Sequence, residues 1–125
     1  MNLQKITAVY AIIVAIAMLG LWAMLLTAGE VDELDDAPLE VAYHLAAEVA
    51  TAALLLVAAV GLLQVKPWAP PVFFLAAGML LYTVIVSAGY YAERGDAAMV
   101  GMFMLLTMST LILVTLTLHR GRASW

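Results

Sequence analysis

Residues 39–65 read LEVAYHLAAEVATAALLLVAAVGLLQV. At about 1.5 Å per residue, a helix of this length crosses a hydrocarbon layer of about 30 Å. Three ionisable side chains interrupt the run, Glu40, His44 and Glu48, and all lie near its start. Spacings of four put them on one helical face, climbing by about 6 Å per step. A helix-length apolar run with a polar stripe confined to one end is what a membrane-spanning helix looks like when its chemistry sits near one surface of the bilayer.

Three further apolar runs flank this one, at 6–28, 72–91 and 97–118, each long enough to span. The breaks between them, at 29–38, 66–71 and 92–96, are short and carry Gly, Pro and charge. Pro38 falls at the expected first turn of the second helix, where a missing N–H is tolerated. The first run follows Lys5 and resembles a signal peptide, but it exceeds the usual signal core of about 7 to 15 residues and reads as a retained helix. The expectation is an all-α integral membrane protein, one domain over 1–125, folded as a four-helix up-and-down bundle. Composition agrees, with 66% hydrophobic and 11% charged residues in a 125-residue chain, against roughly half and a quarter in soluble domains.

Absence of cysteine excludes disulfides, thiolate metal sites and iron–sulfur clusters. A formal net charge of −4 with five Lys and Arg disfavours nucleic acid as a partner. Lys5, Lys66, Arg120 and Arg122 collect at one end of an alternating bundle, whereas Glu30, Asp32, Glu33, Asp35, Asp36, Glu40, Glu93 and Asp96 collect with Arg94 at the other. Positive charge favours the cytoplasmic side. Both termini are therefore expected to be cytoplasmic and the acidic first loop external, in a multi-pass protein of the cell membrane.

Polar groups at membrane depth are costly unless paired or functional, so the candidate site is sought there. Glu48 is the one ionisable residue that the bilayer should fully cover. Counting inward along antiparallel helices brings Met18, Tyr82, Thr83 and Met102 to its level, and Ser87 and Met99 to the level of His44. Thr83, Ser87, Tyr90 and Tyr91 share a face of the third helix by spacings of three and four. The expected pocket is a polar cluster toward the middle of the bundle in its external half, with His44, Glu48 and Glu40 binding a ligand or carrying a proton.

Imidazole and carboxylate suit zinc or divalent iron, so His44 and Glu48 are candidate ligands of a divalent metal, although zinc sites usually need a third protein ligand. Haem b is the other candidate cofactor, with His44 axial and Met99 or Met102 opposite. His119 is too far along the fourth helix to share a haem with His44, and reads as an interfacial residue. The same carboxylate also supports a proton- or cation-coupled transporter subunit, and a satisfied polar knot in an accessory or structural membrane protein is the third possibility. Catalysis has little support, since Ser87, His44 and Glu48 form the one Ser, His and acid set at a common depth. The acidic loop lacks the spacing of a calcium loop. Expected partners are the lipid bilayer and a small molecule or ion. Ala42, Ala46, Ala50 and Ala53 on the far side of the second helix offer a surface for a homodimer.

Overall fold

The computed structural model describes residues 2–29 and 36–124, with side chains through residue 120. It is all-helical among these residues, and its four helices are α1 (Leu3–Thr27), α2 (Pro38–Leu63), α3 (Ala69–Glu93) and α4 (Ala97–Ser124). Each is long and apolar enough to cross a membrane. The acids at 30–35 lie outside the described residues.

The helix ends explain where the observed boundaries depart from those expected. α1 begins three residues before the apolar run because the Asn2 side chain caps it, accepting from the Lys5 N–H at 2.9 Å. α2 closes before residue 65 in a paired turn: the Val65 N–H reaches Leu62 O at 3.2 Å and the Lys66 N–H reaches Gly61 O at 2.9 Å. That turn needs a left-handed residue, and Val65 supplies it with φ 55. α3 starts at Ala69, so Pro70 and Pro71 lie in its first turn, where backbone N–H groups have no helical partner. Gly95, with φ 70, ends α3 in the same kind of turn, and the Asp96 N–H reaches Tyr91 O at 3.0 Å. The Asp96 side chain then accepts from the Met99 N–H at 3.2 Å and starts α4.

Each helix packs on its neighbour in sequence, α1 on α2, α2 on α3 and α3 on α4. Tyr10 joins the first helix to the last, its hydroxyl 2.7 Å from Thr110 Oγ1 and 3.2 Å from Leu106 O. The half of the bundle nearest the chain termini is built from buried alanines: Ala8, Ala11 and Ala15 on α1, Ala52, Ala58 and Ala59 on α2, and Ala69, Ala76 and Ala77 on α3. Small side chains let helices approach closely where lipid provides no hydrophobic drive. Gly61 extends this logic, since a Cβ there would lie 2.7 Å from the Trp68 ring and 2.8 Å from the Ala69 methyl.

The opposite half, which carries the acidic connections and is called here the acidic end, uses larger groups. Tyr91 stacks on Phe103 with centroids 5.8 Å apart, tying α3 to α4, and Tyr90 meets Tyr91 edge-on at 5.1 Å. Arg94 lies over the Tyr90 ring, 3.4 Å from its centroid. Such rings suit the depth of a membrane interface.

Candidate functional site

Glu48 is the one buried charged residue among those described, 7% exposed, on the face of α2 that also buries Val41, Thr51 and Leu55. Thr83 of α3 donates its hydroxyl proton to Glu48 Oε1. His44, one turn earlier on α2, places Nε2 3.5 Å from the same oxygen. A tilted ring contact with Trp22 of α1, centroids 5.3 Å apart, supports the imidazole from behind. Glu48 Oε2 accepts no hydrogen bond from the described residues, and it is not among the buried oxygens sealed from all partners. One carboxylate oxygen is thus fixed by the protein, while the other keeps its acceptor capacity.

These groups open into a groove of about 550 Å³ between α2 and α3. α2 contributes His44, Ala47, Glu48 and Thr51, and α3 contributes Phe74, Leu75, Gly78, Met79, Tyr82, Thr83 and Val86. The α3 positions recur every three or four residues, so they share one face. That face points outward: Leu75 is 58% exposed and Tyr82 74%. Thr51 spends its hydroxyl on Ala47 O at 2.8 Å, so it adds no free donor to the groove. The lining is apolar apart from the Glu48, Thr83 and His44 cluster and the Tyr82 hydroxyl.

The groove is lateral, at the lipid-facing surface between two helices, and not at the centre of the bundle. Of the residues expected around Glu48, it gathers His44, Tyr82 and Thr83. Met18 and Met99 are half-buried against the apolar core, and Met102 of α4 is 40% exposed; none of the three lines the groove. Ser87 is half-buried and Glu40 exposed, both outside it. The physical reason is that counting residues along a helix gives depth but not direction. Residues on α1 and α4 can share the depth of Glu48 while facing another side. On α3 the lining follows Leu75, Met79, Tyr82 and Val86, and Ser87 is rotated away from that line.

Sequence reasoning did not single out Trp22 or Gly78. Trp22 lies on α1 close to the level at which an antiparallel α1 passes His44, so a count from the true helix ends would have reached it. Gly78 stands where a side chain would narrow the groove, and nothing lies within 4 Å of a Cβ built there; no sequence pattern signals this.

Among the described residues, no three His, Asp or Glu side chains come together in a way that could hold a metal ion. Expected haem partners Met99 and Met102 lie outside the groove that His44 lines. The groove's donor set is one imidazole, one carboxylate and the hydroxyls of Thr83 and Tyr82, surrounded by apolar side chains.

A family model described as a domain of unknown function, DUF8058, matches residues 1–124. The chain belongs to this family. No curated protein and no solved structure matches it. The DUF8058 match spans all four helices, so the groove lies wholly within the family's domain.

Proposed function

We propose that this protein binds a small membrane-soluble ligand in the α2–α3 groove, with the Glu48, Thr83 and His44 cluster as its polar end. The observation that carries this is Glu48: a buried carboxylate, held by Thr83 through one oxygen, offers the other to an otherwise apolar groove that opens sideways. Intramembrane ionisable groups usually face a partner or a path, and this one faces accessible space. The groove's volume falls within the roughly 300–1,000 Å³ common for small-molecule sites. The distribution of Lys and Arg supports a cell-membrane location with both termini cytoplasmic and the acidic end outside. A transport role for Glu48 draws less support, because buried alanines hold the helices close together in the other half.

Ala42, Ala46 and Ala50 are exposed on the side of α2 away from the groove, so a second copy packed there would leave the ligand site open. The test uses Gly78→Leu, which fills the groove where a new side chain meets nothing. Small molecules extracted from purified wild-type protein should include a species enriched over the surrounding lipid, and Gly78→Leu should lose it while keeping its melting temperature. Identical extracts from the two proteins would remove the proposal.

A further inference from the structure

Tyr82 is out of place for a membrane tyrosine. Tyr90 and Tyr91 lie near the acidic end of α3, at the depth where a ring can keep its hydroxyl wet. Tyr82 lies about 12 Å further along the helix, near its middle. Its side chain is 74% exposed on the outward surface, and its hydroxyl has no hydrogen-bond partner among the described residues. Acyl chains offer it none, and a polar group left unpaired in hydrocarbon is costly.

An oxygen at the same depth also lacks a partner. Thr83, next to Tyr82 in the chain, bonds to Glu48 Oε1, which puts Tyr82 and Glu48 in register across the α2–α3 pair. Both line the groove, and Glu48 Oε2 accepts no hydrogen bond from the described residues. They do not meet within one chain, since Tyr82 stands outward from α3. A second copy related by a two-fold axis along the membrane normal keeps every depth and sets α3 of each chain opposite α2 of the other. Tyr82 of each copy then faces Glu48 of the other, so the contact is made twice. The pairing does not depend on where the proton lies, because a phenol donates to a carboxylate and can donate to or accept from a carboxylic acid. Ala47 and Gly78 line the same groove, and such small residues let helices of two chains approach closely in lipid. Ala42, Ala46 and Ala50 offer small side chains on the other side of α2 but no polar group.

We infer that two copies of this chain form a parallel homodimer through their α2–α3 faces, in which the Tyr82 hydroxyl of each copy completes the hydrogen bonding of Glu48 in the other. This does not rest on the ligand reading. The two grooves face one another in the dimer, so a ligand in either is enclosed between the chains.

The experiment uses the full chain, labelled with a donor or an acceptor fluorophore through Gln64→Cys and reconstituted in phosphatidylcholine vesicles over a series of protein-to-lipid ratios. Energy transfer gives the dimer fraction. Tyr82→Phe removes only the hydroxyl, and with it both bonds, so the protein-to-lipid ratio at half-dimerisation should rise about tenfold. The melting temperature of the dilute monomer should stay at its starting value, because this hydroxyl has no partner within the chain. Ala46→Leu, on the far side of α2, should leave dimerisation unchanged. Tyr82→benzoylphenylalanine should photocrosslink two chains, with adducts on the groove face of α2 that His44, Ala47 and Thr51 mark. A monomer at every ratio, dimerisation unmoved by Tyr82→Phe, loss of dimers in Ala46→Leu, or adducts confined to another helix would each overturn the proposal.

Discussion

Thr83 donates the hydrogen bond that fixes one oxygen of Glu48, so the effect of removing that donor measures how firmly the carboxylate is held. Thr83→Val keeps the shape and leaves Oε1 with only His44 nearby, and should destabilise the protein by about 0.5–2 kcal/mol, as hydrogen bonds between membrane helices do. Thermal unfolding in detergent reads this directly, and an unchanged midpoint would argue that Thr83 and Glu48 are not partners. The pair was legible in the sequence, because a glutamate in an apolar run demands a donor and Thr83 lies at the matching depth on the helix that follows. Met18, Met99 and Met102 satisfied the same depth criterion and yet lie elsewhere, since rotation about each helix axis is set by packing that only the fold displays. Tyr82 fell on the right side by the same depth count, without any signal that its ring would be three-quarters exposed.

Helix boundaries followed from capping residues more than from hydropathy. Apolar runs located all four helices, while Asn2, the Pro70 and Pro71 pair and the Val65 turn shifted the ends by a few residues. Val65 is the unusual member of this set. A β-branched residue in the left-handed region is strained by roughly 1–2 kcal/mol, and Gly29 and Gly95 show the residue that such positions ordinarily use. Val65→Gly keeps the two backbone bonds of the turn, Val65 N–H to Leu62 O and Lys66 N–H to Gly61 O, and relieves the strain. We expect it to raise stability by about 1 kcal/mol, seen as a higher melting temperature. A lower one would mean that the Val65 side chain contributes packing greater than the strain it causes.

At the scale of the whole molecule, the two halves of the bundle differ in how they are held. The terminal half is sealed by alanine contacts and by Tyr10, which bridges α1 to α4. Nearby, Thr7 Oγ1 is buried without a hydrogen-bond partner among the described residues. Thr7→Val should therefore be neutral or stabilising, because it removes an unsatisfied group and keeps the volume, whereas Tyr10→Phe should cost about 1 kcal/mol by stripping a partner from Thr110. Melting temperatures that moved in the same direction for both would contradict this division.

The functional consequence of the asymmetry depends on which way the protein faces. His44 and Glu48 lie on the acidic side of the midpoint of α2, while Phe74, Leu75, Gly78 and Met79 lie in the terminal half of α3, so the groove reaches across the middle of the bundle. Lys5, Lys66 and Arg120 stand at the end opposite the acidic connections, and this bias favours an external acidic end. The chain contains no cysteine, so single substitutions report orientation without background. Ala92 and Gln64 are exposed, uncharged residues at opposite ends of the bundle, and replacing either leaves the charge bias intact. A membrane-impermeant maleimide applied to intact cells should label Ala92→Cys and spare Gln64→Cys until the membrane is opened. The reverse pattern would place the acidic end, and with it the His44 side of the groove, toward the cytoplasm.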